Sequence, residues 1–208
     1  TSPSFSETIY ILYNAIDSLG KKNSLVSEEL YNIVMENKSK LNDIIDCNRD
    51  YQFDYFGFKT LEKAYLFKIN GKIIERIQYM FLRVSLGLHL DDIKSAIESY
   101  NYMSQKYFIH ATPTLFHSGT RKPQLLSCYL LGMQDSVEGI FKNITDCSLI
   151  SKWAGGIGIH VSNTRSKGTH IRGTNGKANG IIPMLKVYNE CVKYINQSGK
   201  RQGSIAVY

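Results

Sequence analysis

The spacing of apolar and polar positions changes period about halfway along the chain. Over the first hundred residues the period is helical. Ile9, Leu12, Tyr13 and Ile16 recur at three- and four-residue spacing between Ser6 and Leu19, and Gly20 stops the run. Ser27-Glu28-Glu29 opens a second helix through Leu30, Ile33 and Val34, and a short third follows near Leu41, Ile44 and Ile45. Longer helices are expected from about Ile77 to Leu86 and from Asp91 to Tyr107, the latter capped by Asp91-Asp92, whose charge suits a helix N-terminus. Between these helices, Asn70-Gly71 separates two short alternating runs and predicts a β-hairpin near 64–76. The stretch from Asp50 to Phe58 is dense in aromatics and reads as core packing beside a loop. A base-stacking platform would want interleaved Lys or Arg, and here the neighbours are acids.

From Ile109-His110 the pattern is that of strands and helices in turn. Thr112-Pro113-Thr114 is expected to be extended or turned, because the residue before proline is disfavoured in helix. Leu125–Leu131 alternates little and reads as a strand buried on both faces. Asp135-Ser136-Val137-Glu138 caps a helix whose inner face is Val137, Ile140, Phe141 and Ile144, ending near Lys152-Trp153. Ile157, Ile159 and Val161 mark a second strand, and a polar loop runs from Ser162 to Gly180. Pro183 starts another helix, with Leu185, Tyr188, Val192 and Ile195 inward. A loop from Gln197 to Ser204 then leads into a last strand. Two successive α/β units imply a parallel sheet. Three strands complete neither a barrel nor an open doubly wound sheet, so the sequence is expected to be part of a longer one. Its opening on Thr1 agrees with that expectation.

Charge adds a location for function. The chain has 208 residues and a net charge of +7. From Cys147 to Tyr208 there are nine Lys or Arg and one acid, Glu190, so the rest of the chain is close to neutral. A basic segment set among glycines points to an anionic partner, the phosphates of a nucleotide or a nucleic-acid backbone. A solvated face is the commoner cause of a charge run. No stretch is long and apolar enough for a membrane span, and no signal segment opens the chain. Cys47, Cys128, Cys147 and Cys191 are scattered without a CxxC pair, which predicts reduced thiols and a cytoplasmic protein. By base rate Cys128, inside a strand, is a packed structural thiol.

Several motifs fail on inspection. Gly155-Gly156-Ile157-Gly158 lacks the third glycine of a dinucleotide fingerprint and precedes a strand. Gly173-Thr174-Asn175-Gly176-Lys177 has the wrong spacing for a P-loop. The five histidines form no metal-ligand spacing with Cys or carboxylates, so no metal site is expected. What remains is a glycine turn with Arg and Lys on adjacent loops, which suits a polyphosphate. Asp135 and Ser136 at a helix start cap that helix and are also placed to meet a hydroxylated ligand.

These residues carry a family likeness. His110-Ala111-Thr112-Pro113-Thr114-Leu115-Phe116, Gly119-Thr120, Pro123 to Cys128, Ala154 to Gly158, Gly173-Thr174-Asn175-Gly176 and Asn179-Gly180 resemble the large subunit of class I ribonucleotide reductase, eukaryotic type. The likeness extends upstream through Arg49-Asp50-Tyr51 to Phe58 and Lys59-Thr60-Leu61-Glu62, and is weakest over the first 45 residues. It implies an α/β fold: a mostly helical region over 1–109, then, over 110–208, the first strands and helices of the family's ten-stranded α/β barrel, incomplete, with effector and substrate loops.

The resemblance also implies an activity, the reduction of ribonucleoside diphosphates to deoxyribonucleoside diphosphates for DNA synthesis. In the family a thiyl radical abstracts the 3′ hydrogen, and a cysteine pair supplies the electrons and becomes a disulfide. Cys128 matches the first member of that pair. Thr112, Ser127 and Gly156 match substrate positions. Asp135, Ser136, Val137, Lys152, Arg165, Arg172 and Gly173 match the allosteric site for ATP, dATP, dGTP or dTTP. Gln197 and Arg201 fall in the loop that relays effector identity to substrate choice. That loop is about one residue shorter than the usual animal pattern. The implied partners are a small subunit carrying the di-iron radical cofactor, a second large subunit, and thioredoxin or glutaredoxin as reductant; no cofactor is assigned to this chain itself. The thiyl cysteine and the second redox cysteine lie downstream in the family, so this chain alone is expected to be inactive. Two rival readings are a basic nucleic-acid-binding module and a structural domain with solvated basic loops.

Overall fold

The computed structural model describes residues 3–197 and 201–208. It divides into two compact units, Thr1–Leu125 and Leu126–Tyr208.

The first unit is built from helices α1 (Phe5–Tyr13), α2 (Glu28–Glu36), α3 (Lys38–Asp43), α4 (Tyr55–Ala64), α5 (Ile77–His89), α6 (Ile93–Ser104) and α7 (Thr112–His117). A hairpin of β1 (Lys68–Ile69) and β2 (Lys72–Ile73) precedes α5. Helix α5 is the centre: every residue from Ile77 to Leu86 is buried, as in a helix surrounded by others. Local chemistry sets the ends of its neighbours. Ser4 and Glu7 form a reciprocal capping box on α1, and the Ser27 hydroxyl accepts the Leu30 N–H on α2; each such cap stabilises by about 1 kcal/mol. Asn70 and Gly71 have φ of 49° and 80°, the left-handed pair that a two-residue hairpin turn requires.

An ion pair lies inside this core. The Arg83 and Glu75 side chains are fully buried, with Nε 2.6 Å from Oε1. Arg83 also donates to the carbonyls of Ser118 at 2.6 Å and Leu115 at 3.1 Å, and the Ser118 hydroxyl donates to the Val84 carbonyl at 2.8 Å. Residues 115–119 are thereby fastened to α5. A side chain at Gly87 would put its Cβ 2.2 Å from the Gly119 nitrogen, so the close approach requires glycine there.

Four details of this unit differ from the sequence expectation. Helix α1 stops at Tyr13, where Asn14 turns its side-chain amide onto the Tyr10 carbonyl, and Ile16 instead pairs with Lys22 in an isolated bridge. The last long helix is shorter, Ile93–Ser104, with Asp92 as its cap. The aromatic stretch forms a 3-10 turn over Cys47–Gln52 and then α4, capped by Asp54. Tyr51, Tyr55 and Phe56 point outward, 85%, 79% and 80% exposed, while Phe53 packs on the core. Tyr55 and Phe56 open α4, which buries only Leu61. Finally, Thr112 begins α7 rather than lying extended. The extended residue is Ala111, and Pro113 sits in the first helical turn, where a missing N–H leaves nothing unpaired.

The second unit holds β3 (Cys128–Gly132), α8 (Val137–Lys152), β4 (Gly156–His160) and α9 (Ile181–Tyr194). Three short strands follow: β5 (Asn196–Gln197), β6 (Arg201–Gln202) and β7 (Ile205–Val207). Strands β3, β4 and β7 form a parallel sheet in that order, as the repeated α/β pattern predicts, with Cys128 opposite Gly156 and Ile157 opposite Ile205. Its core gathers Met133, Ile144, Cys147, Ile157, Ile159, Val161 and Tyr188. The Tyr188 hydroxyl donates to Asn143 Oδ1 at 2.9 Å, and the Asn143 amide donates to the Gly132 carbonyl, which ties α9, α8 and β3 together. Burial of both groups raises the Tyr188 phenol to about 12 and the Cys147 thiol to about 11.

Within this chain by itself, strand β3 is not buried on both faces. Its residues alternate, and Leu130 is 77% exposed. In this sheet β3 is an edge strand: Leu131 packs against the α8–α9 core, while Cys128, Leu130 and Gly132 occupy the other face. An unbroken apolar run cannot by itself reveal that one face is open. Cys128 is consequently an exposed thiol and not a packed one.

Candidate functional site

The carboxyl ends of β3 and β4 open into a cavity of about 410 Å³ lined by Asp135, Ser136, Val137, Thr164, Arg165 and Gly180, among others. Parallel α/β sheets characteristically bind ligands outside the carboxyl ends of their strands. Asp135 and Ser136 arrive at the end of β3, where Ser136 caps α8 by accepting the Gly139 N–H at 3.0 Å. Arg165 comes from the loop after β4. Its Nε lies 2.6 Å from Asp135 Oδ2, its Nη2 donates to the Asp135 carbonyl at 2.9 Å, and its backbone N–H reaches the same carboxylate at 3.2 Å. Both side chains are partly exposed, so the pair stabilises by about 1 kcal/mol or less and serves mainly to fix the loop. The guanidinium has five donors, enough to hold Asp135 and still face an anion.

One feature of the cavity wall was not singled out by sequence. The Thr164 Oγ1 is buried and has no hydrogen-bond partner among the described residues. No residue pattern announces an orphaned hydroxyl; only the fold creates it. Gly180, at φ 76°, passes so close to the Lys167 backbone that a Cβ would sit 3.1 Å from its nitrogen. A second cavity, of about 660 Å³, shares Thr164, Arg165, Asn179 and Gly180 with the first and is also lined by Lys167.

The structure brings together only part of the expected effector set. Asp135, Ser136, Val137 and Arg165 converge. Arg172 and Gly173 lie at the tip of the loop, closed by the His170–Lys177 bridge, while their neighbour Ile171 lines the cavity. Lys152 does not join them. It ends the 16-residue α8 that Ser136 begins, about 24 Å away along the helix axis, with its ammonium over the Trp153 ring.

The amino ends of the same strands bear different chemistry. Cys128 opens β3 and Gly156 opens β4, directly opposite each other. The Ser127 hydroxyl is 3.5 Å from the Cys128 sulfur. The Gly156 N–H donates to the Ser127 carbonyl at 2.6 Å, so this amide is held by the sheet. Thr112 belongs to the helical unit, at the first position of α7, with its hydroxyl 3.0 Å from Tyr65 Oη. Gln197 and Arg201 face each other across the β5–β6 pair; their side chains, and residues 198–200, lie outside the described residues. Also among the described residues, no three His, Cys, Asp or Glu side chains are grouped to hold a metal, and no helix is long and apolar enough to cross a membrane.

One family model matches within each unit. Residues 51–123 match the ribonucleotide reductase all-alpha domain, and residues 126–208 match the ribonucleotide reductase barrel domain. The chain belongs to the ribonucleotide reductase large-subunit family. It is 54% identical over 210 residues to the ribonucleoside-diphosphate reductase large subunit of Plasmodium falciparum (isolate Dd2), all of this chain aligning to 26% of that protein. It is 50% identical to the large subunit from Arabidopsis thaliana, again over 26% of its length, and 52% identical to that of vaccinia virus (strain Copenhagen), over 27%. The chain thus spans about a quarter of the length of the curated relatives it matches.

Proposed function

We propose that the chain contributes the effector cavity and one redox thiol of a ribonucleoside-diphosphate reductase, an oxidoreductase that makes deoxyribonucleoside diphosphates. One observation carries this reading: the exposed Cys128 thiol stands at the amino end of β3 beside the Ser127 hydroxyl and Gly156, as expected of a thiol that must meet substrate and reductant. Its role is to supply, with a second cysteine elsewhere in the enzyme, the two electrons that replace a ribose hydroxyl by hydrogen. Ser127, Gly156 and Thr112 hold the diphosphate substrate. Radical generation belongs to a small partner subunit and its di-iron centre, and the disulfide is returned to thiols by thioredoxin or glutaredoxin. The enzyme acts in the cytoplasm.

The cavity at the other end takes a nucleoside triphosphate effector (ATP, dATP, dGTP or dTTP). Arg165 faces its phosphates, and Asp135 and Ser136 meet its sugar. The length of α8 supports a homodimer: Lys152 cannot reach a triphosphate at its own Ser136, but α8 packed antiparallel on its counterpart in a second copy would bring the two ends together. Gln197 and Arg201 then relay the effector's identity to the substrate end.

Calorimetric titration of this chain with dTTP, beside a random oligonucleotide at two salt concentrations, tests the reading. Saturable dTTP binding with little oligonucleotide affinity is the expected result. Oligonucleotide binding that falls steeply with salt, without dTTP binding, would instead identify a nucleic-acid module.

A further inference from the structure

We propose that Tyr65 is a positioning residue for the diphosphate substrate, acting through the Thr112 hydroxyl; this rests on the reading of Thr112 as a substrate contact. Thr112 is the first residue of α7, a segment the rest of the helical unit holds firmly. Arg83 grips the Leu115 and Ser118 carbonyls, Thr114 Oγ1 donates to the Leu125 carbonyl at 3.1 Å, and the Ser118 N–H closes onto the Thr114 carbonyl. The backbone of Thr112 is therefore fixed, but its side chain still has a choice of rotamer. At the first helical position no preceding turn restricts it, so more than one staggered rotamer is open to the hydroxyl. Tyr65 removes that choice. It follows α4 and its ring packs on Phe116, with centroids 5.0 Å apart, which brings Oη to 3.0 Å from Thr112 Oγ1.

The direction of this hydrogen bond follows from what a phosphate needs. A threonine hydroxyl has one proton and two lone pairs, and an anionic oxygen can only accept. When Thr112 donates its proton to a phosphate oxygen, Tyr65 must be the donor to Thr112. The phenol then orients the hydroxyl, leaves its proton free for the substrate, and polarises it in the direction of donation. No residue spacing announces this pair, because 47 positions separate its members.

The test is a double-mutant cycle in the complete enzyme, assayed with its small subunit and a dithiol reductant. Tyr65→Phe keeps the ring and loses the donor. It is expected to raise KM for the ribonucleoside diphosphate about fivefold, the worth of one neutral hydrogen bond, with kcat and effector affinity little changed. Thr112→Val should raise KM at least as much. In Tyr65→Phe/Thr112→Val the second change should add nothing, because the phenol has lost the group it acts through. Thr112→Ser, which keeps the hydroxyl, should retain the sensitivity to Tyr65→Phe. Additive losses would overturn the proposal and show that Tyr65 supports the fold. If Thr112→Val alone leaves KM unchanged, the substrate role of Thr112 fails, and the proposal fails with it. If Thr112→Val raises KM but Tyr65→Phe does not, only the role of Tyr65 is lost.

Discussion

The same strands end in two unlike places. At their carboxyl ends an arginine, an aspartate, a helix start and an orphaned hydroxyl surround a cavity. At their amino ends, four residue steps and about 13 Å away along β3, stands a group of one thiol, one hydroxyl and one glycine. The first end has what recognition of an anion needs, a charge and spare donors. The second is suited to reaction, since an exposed thiol among small residues can be reached by a substrate and by a reductant. One rigid sheet joins the two, so a ligand that shifts the loops at one end has a physical route to the other. On the proposed reading, the rule that ligands gather at carboxyl ends would place regulation here, and the thiol would place the reaction at the other end.

The largest effect should come from breaking the amino end. In the complete enzyme Cys128→Ser is expected to abolish multiple turnover with a dithiol while leaving triphosphate binding intact. Normal turnover would sink the redox assignment. A milder version needs no mutation. Iodoacetamide at neutral pH should label Cys128 well before Cys147, because Cys128 is exposed whereas burial raises the Cys147 thiol to about 11 and keeps it protonated. Mass spectrometry of the labelled peptides gives the order, and early labelling of Cys147 would mean that the α8–α9 core opens.

The carboxyl end should respond next. Arg165→Ala is expected to weaken triphosphate effector binding about tenfold to a hundredfold, the range of a charge-assisted hydrogen bond, and to weaken diphosphate substrate binding less. Lys152→Ala should do the same only where two chains associate, since the lysine of one chain lies too far from its own Asp135–Arg165 pair. Equal loss of effector and substrate in both variants would reduce the two residues to supports of the fold.

What the sequence revealed and what it hid divide along physical lines. The Asn70-Gly71 hairpin, the Ser27 cap and the strand–helix–strand repeat were legible because each follows from a few neighbouring residues. The open face of β3 was not, because Leu125–Leu131 reads the same whether one face is covered or two. The convergence of Asp135 with Arg165, thirty residues apart, came from family resemblance and not from spacing. Its geometry came only from the folded loop after β4, and the exclusion of Lys152 from it came from the length of α8. The Arg83–Glu75 pair was hidden for a related reason: an arginine and a glutamate eight positions apart look like surface residues until the fold closes around both.

The smallest expected effect is the most specific to the cavity. Thr164 Oγ1 is buried without a partner among the described residues, and an unsatisfied hydroxyl costs about 1–3 kcal/mol relative to one that is bonded. Valine has nearly the same shape and no polar atom. Thr164→Val should therefore leave the thermal midpoint of the free chain unchanged or slightly raised. If the hydroxyl exists to meet a nucleotide, the same variant should bind triphosphate about fivefold more weakly, the worth of one neutral hydrogen bond. Opposite signs for stability and binding would make the orphaned hydroxyl part of the effector site. A loss of stability with unchanged binding would mean that Thr164 finds its partner within the chain. The carboxyl end would then owe its recognition to Arg165 and its loop alone.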